Sequence, residues 1–176
     1  MRLILTLALI APGLAFAAGS GDSDAPKPTQ TTKSCKGVKV WDATKKRCVR
    51  PKESNLAPDT LYDAVRELAY AGRIEDAQGV LSAMPDQSHD GVLTYWGFTH
   101  RKLGNLELAN AFYEQAIAQN PNNILARSYM AQGFVAAGRT DEALAQWHEI
   151  KARGGDGTWA EVSLRNALRT GLTSNY

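Results

Sequence analysis

Cysteine is scarce in this chain. Only Cys35 and Cys48 occur in 176 residues, too few for a four-cysteine zinc site and too far apart for a CxxC pair. The three histidines, His89, His100 and His148, lie well downstream and form no HxxxH pair that could share a metal with the thiols. Long apolar runs are missing too: beyond the first residues, no stretch approaches the roughly 18 uninterrupted apolar residues of a membrane span. Catalytic motifs are equally absent. No serine stands in GxSxG, no phosphate loop closes on Gly-Lys-Ser or Gly-Lys-Thr, and His148-Glu149 continues as Ile150-Lys151-Ala152 rather than HExxH. With no nucleophile and base to name, we expect no enzyme, no cofactor and no metal ligand.

What is present begins with MRLILTLALIAPGLAFA, where Arg2 precedes an apolar run from Leu3 to Leu14 and a small-x-small pattern, Ala15-Phe16-Ala17. This reads as a signal peptide over 1–17. It predicts an exported protein without a transmembrane segment in the mature chain, in the periplasm by preference and secreted as the second reading. In an oxidising compartment the two cysteines are expected to form a disulfide. Residues 18–33 are rich in Gly, Ser, Thr, Pro and Asp, and predict a disordered linker. Residues 34–50 predict a β-hairpin. Val38, Val40 and Trp41 suggest one strand and Arg47-Cys48-Val49 the other, with the Cys35–Cys48 loop contributing about 3 kcal/mol in the chain-entropy model.

Charge is unevenly shared. From Lys33 to Glu53 eight basic residues face two acidic ones, whereas from Ser54 onward ten basic face fourteen acidic. The basic hairpin has two readings: its lysines keep the exposed edges soluble and unpaired, or they make a weak contact with anionic envelope polymers. Nucleic acid is not expected, since no second aromatic joins Trp41 to make a stacking platform.

A period runs through the rest. AGRIEDAQGVLSAM (71–84), LGNLELANAFYEQA (103–116) and AGRTDEALAQWHEI (137–150) align without gaps. In each, a glycine (Gly72, Gly104, Gly138) is followed five residues on by an alanine (Ala77, Ala109, Ala143) and four later by Leu81, Tyr113 or Trp147. The glycine suits the left-handed end of one helix, and the later positions share one stripe of the next. Amphipathic segments precede every glycine, so three helix pairs are predicted, about 57–89, 90–123 and 124–152. Thr158-Trp159-Ala160-Glu161 then opens a capping helix over 157–171.

The middle unit resembles the tetratricopeptide repeat: Leu93, Trp96, Gly97 and His100 stand at that family's Trp, Leu, Gly and Tyr places, followed by Ala109, Tyr113 and Pro121. The resemblance implies an all-α, right-handed superhelix of three helix pairs plus a cap, preceded here by the disulfide hairpin. It also implies a non-enzymatic scaffold that holds a peptide or partner helix in a concave groove. Counting back from each glycine places Tyr62, Arg66, Thr94, Phe98, Arg101, Ser128 and Gln132 on that groove, with Tyr70 and Lys102 adjoining. Phe98, outside the packing stripe, is either an exposed apolar group of the groove or a residue packed against the neighbouring unit. The alternative function is an envelope-polymer or glycan-targeting protein anchored by its basic hairpin.

Overall fold

A computed structural model describes residues 25–173. The predicted signal peptide, 1–17, lies outside these residues. Among the described residues there are eight α-helices and one two-stranded antiparallel sheet. The order is α1 (Gln30–Ser34), β1 (Val40–Asp42), β2 (Arg47–Val49), a 3-10 turn (Pro51–Glu53), α2 (Pro58–Tyr70), α3 (Ile74–Leu81), α4 (Asp90–Lys102), α5 (Leu106–Gln119), α6 (Ile124–Ala136), α7 (Thr140–Ala152) and α8 (Trp159–Thr170). None of the helices is long and apolar enough to cross a membrane.

Helices α2 with α3, α4 with α5, and α6 with α7 form the three pairs. One device turns the chain between the partners each time. Gly72, Gly104 and Gly138 have φ of 74°, 84° and 74°, in the left-handed region that glycine enters at no steric cost. After α2, the Gly72 N–H donates to Ala69 O and the Arg73 N–H to Leu68 O. The same two bonds recur at Gly104 and Asn105, and at Gly138 and Arg139. They satisfy carbonyls that the helix end would otherwise orphan. The spaced positions then meet their purpose. Ala77, Ala109 and Ala143 are fully buried where paired helices cross, and Leu81 and Tyr113 fill the core one turn later. Trp147 remains partly exposed, and its indole N–H donates to the Glu161 carboxylate at 2.8 Å. A Cβ on Gly97 would fall 2.5 Å from the Tyr113 ring, so only glycine admits that close approach.

The first pair departs from the others. Helix α3 has 8 residues against 14 in α5 and 13 in α7. Its shortened end is closed by Gln87, whose amide donates to Leu81 O and Met84 O. The cap helix α8 begins as expected, with Thr158 Oγ1 accepting from the Glu161 N–H at 3.3 Å. Glu161 does not complete the box by reaching back; it serves Trp147 instead. Gly171, φ 71°, ends the helix.

Of two N-terminal expectations, the first needs correction and the second is borne out. The segment read as disordered linker carries α1 at its end. Thr29 and Thr32 each donate a backbone N–H and a hydroxyl to the buried Glu67 carboxylate of α2, at 2.6 and 2.5 Å from Thr29 and 3.0 Å from the Thr32 N–H. A polar sequence is ordered here by charge-assisted hydrogen bonds rather than by apolar burial. The disulfide, S–S 2.08 Å, does form. However, Cys35 is the C-cap of α1 and lies outside the sheet, so the bond ties α1 to β2 rather than strand to strand.

The hairpin is seated on the first helix pair. Val40 is 1 % exposed and belongs to the main core. Val38 lies over Gly79 of α3, where an added Cβ would stand 2.4 Å from its Cγ2. Arg73 fastens the loop between α1 and β1, donating to Cys35 O at 2.9 Å and Gly37 O at 3.0 Å while paired with Asp76 at 2.8 Å. Asp42 pins the hairpin turn by accepting from the Thr44 and Lys45 N–H groups.

Candidate interaction surface

Helices α2, α4 and α6 supply the inner face, where the predicted groove residues were placed by spacing. The structure brings these residues onto the seams between neighbouring helices, and several are closed to solvent. Phe98 is 0 % exposed, which decides between its two readings in favour of packing. Tyr70 of α2 stacks beside it at 6.5 Å, Tyr129 of α6 approaches to 4.8 Å, and Tyr95 closes a third side at 6.0 Å. Arg101 and Lys102 stand over the ring, each 5.6 Å from its centroid. A Phe wedged among three aromatic rings and under two cations is a core residue of the inner face.

Thr94, Ser128 and Gln132 are buried as well, each for a polar reason. Thr94 Oγ1 donates to Asp90 O and accepts from Asn123 Nδ2, which also reaches the Asp90 carboxylate; Asn120 donates to that carboxylate too. This knot fixes α4 to the start of α6. Ser128 Oγ donates to Ala160 O at 2.7 Å, and Gln132 Nε2 reaches Ser128 and Ser163 at 3.3 Å. Both thus face the cap helix and not an open groove. Arg66, 8 % exposed, lies 3.8 Å from Asp63.

Trp159 is the member of this face that spacing missed. It stands in the first turn of α8, yet it reaches Tyr70 at 5.7 Å and Tyr129 at 6.2 Å. Tyr70 and Tyr129 are in turn 3.3 Å apart, oxygen to oxygen. A diagonal row of aromatic rings therefore crosses the inner face from the end of α2 to the start of α8. The Trp in the capping box was the available signal, but its direction depends on how α8 crosses α6, which periodicity does not encode.

Tyr62, Tyr70, Arg101, Lys102 and Trp159 remain partly accessible on this face. Tyr62 lies edge-on to Tyr95 at 5.7 Å. The Lys102 amine titrates at about 8, lowered by burial first and by the Arg101 charge second. Burial pushes the Tyr129 hydroxyl well above its ordinary value, with neighbouring tyrosines adding to the shift. On the other side of α4, His100 packs against Trp96 at 5.9 Å and Phe112 at 5.6 Å, which also touch each other at 6.0 Å, and burial lowers its basicity. His89 caps α4, its Nδ1 accepting from the Gly91 N–H. Among the described residues, no three His, Cys, Asp or Glu side chains come together as a metal site would require. Pro121 is exposed, and its carbonyl accepts from Arg127 and Arg153, so it ties α6 and α7 at one end.

Residues 100–164, from the end of α4 into α8, match the family model described as tetratricopeptide repeat. No curated protein and no solved structure matches the chain. The first helix pair lies outside the matched residues, but it turns on the same glycine device and buries the same alanine as the other two. Over residues 100–164 the chain is thus similar to the tetratricopeptide repeat, and the whole helical part is a repeat of three like helix pairs with a closing helix.

Proposed function

We propose that the chain is a non-enzymatic scaffold for a protein partner, engaged from the inner face at Tyr62, Tyr70, Arg101, Lys102 and Trp159. Tetratricopeptide repeats generally mediate protein–protein contacts. What supports this particular face is its make-up: aromatic and cationic side chains, the types that most often anchor interfaces, stay partly accessible over a fully packed floor. The floor around Phe98 holds them in place, so little ordering entropy remains to be lost on binding. The four buried residues Thr94, Phe98, Ser128 and Gln132 act as this floor and make no direct contact. The formed disulfide supports a compartment outside the reducing cytosol. We place the protein in the cell envelope, in the periplasm before the secreted medium.

The test is affinity capture from envelope extract with the oxidised chain as bait. Lys102→Glu and Tyr62→Glu are expected to lose a partner that Glu107→Lys, on exposed α5, retains. Retention of the same partners by both inner-face variants would refute this assignment.

A further inference from the structure

A basic cavity lies between the hairpin and α3, outside the inner face. Its volume is about 450 Å³, the size of a small-molecule site. Lys36 and Lys39 stand on the hairpin wall, Arg50 and Lys52 on the wall of the 3-10 turn, and Gly79 of α3 lies at the floor. Glu53 is the single acidic side chain of the lining, and Arg50 holds it at 3.2 Å. Lys36, Lys39 and Lys52 therefore line one cavity without an ion-pair partner among the described residues.

Three like charges around one cavity repel one another, and on a mobile loop they would move apart. Here both walls are fixed. The Lys36–Lys39 segment follows the disulfide, is held by Arg73 at the Gly37 carbonyl and at the Cys35 carbonyl before it, and rests through Val38 on Gly79. The opposite wall turns on buried Pro51, whose carbonyl accepts from Ser54 Oγ at 3.0 Å. The held backbone keeps these exposed lysines around one site; ammonium groups are compact point charges suited to phosphate and carboxylate oxygens, and a concave site of one sign focuses field on its ligand. No aromatic ring lines the cavity, so it offers no stacking surface for a base; the charged groups of a ligand would be recognised.

We propose that this cavity binds a compact polyanion, a ligand with two or more phosphate or carboxylate groups. This goes beyond the scaffold reading and does not depend on it, because the cavity shares no residue with the inner face.

The test is calorimetric titration of the oxidised chain at low ionic strength with tripolyphosphate and, separately, citrate. Lys36→Gln with Lys39→Gln is expected to weaken binding about tenfold or more, while Lys46→Gln with Arg47→Gln at the hairpin tip changes it less than about twofold. The two pairs remove equal charge. Equal losses from both would mean unspecific attraction and would overturn the proposal, as would the absence of any heat with either anion. Sedimentation with phosphatidylglycerol vesicles names the source. Vesicle binding displaced by tripolyphosphate assigns the site to a headgroup surface, and tripolyphosphate binding without vesicle binding assigns it to a free polyanion; both outcomes support the cavity. Lys102→Glu should leave every one of these titrations unchanged, so this proposal and the inner-face assignment fail separately.

Discussion

Residues 25–53 bury few side chains, chiefly Thr31, Cys35, Val40, Asp42 and Pro51, whereas α4 buries 8 of its 13 residues and α6 buries 9 of 13. The N-terminal module is therefore held by other means: a covalent bond, the Arg73 clamp and the Glu67 carboxylate. The array is held by packing, with alanines at the crossings and aromatic rings between helices. A small polar segment cannot bury enough apolar surface to offset its ordering entropy, so it borrows order from the helices beneath it. The difference teaches where each region is vulnerable. The module should respond to redox state and acid, and the array to lost volume.

The largest expected effect is in the array. Phe98→Ala should cost about 3–5 kcal/mol, measured by urea unfolding, because Tyr70, Tyr95 and Tyr129 cannot all close on the space it leaves. A loss near that of a surface substitution would mean that Phe98 is no core residue. Removing the disulfide through Cys35→Ala with Cys48→Ala should cost about 3 kcal/mol, with near-ultraviolet dichroism from Trp41 changing first. If Trp41 and the array lose their signals together, the contrast between the regions is weaker than drawn.

Acid should act on the same end. Burial alone would raise the Glu67 carboxyl, but the hydrogen bonds from Thr29 and Thr32 outweigh it and hold the group below its ordinary value. A carboxyl with lowered folded pKa stabilises fully above its unfolded value, about 4.5, and the contribution is lost as pH falls through the folded value. Glu67→Gln should cost about 1.5–3 kcal/mol near neutrality and flatten the acid limb of the stability profile. An unchanged limb would refute the α1 anchor. The smallest effect has the opposite sign. Lys102 is disfavoured as an ammonium in the fold, so its cost is fully present below about 8 and is relieved as pH rises toward the ordinary lysine value. Lys102→Met should raise stability at pH 7 by about 1 kcal/mol, discounted for its partial exposure, and should remove the alkaline rise.

Much of the array was legible because its signals are local. A glycine needing positive φ, an alanine five residues on and a large apolar residue four later each have a nearby cause, and all three units repeat them. The groove was legible only in part. Spacing put Thr94, Phe98, Ser128 and Gln132 on the first helices of their pairs, but whether such a position meets solvent or a neighbour depends on the crossing of helices far apart in sequence. Trp159 over Tyr70 joins the start of the last helix to the end of the first repeat helix, and no period reports that contact. The α1 anchor was hidden for a related reason: Thr29 and Thr32 read as linker until Glu67, 38 and 35 residues away, is placed beside them.

The central claim is that the basic N-terminal module is a seated part of the array rather than a tethered appendage. Native-state hydrogen exchange over residues 35–49 tests it most directly. In the oxidised protein the Trp41 amide, which donates to Thr31 Oγ1 at 3.2 Å, and the β1–β2 ladder amides should be protected, and reduction should release them while α4 and α6 keep their protection. Exchange of the hairpin amides at the rate of an unstructured peptide before reduction would contradict the claim.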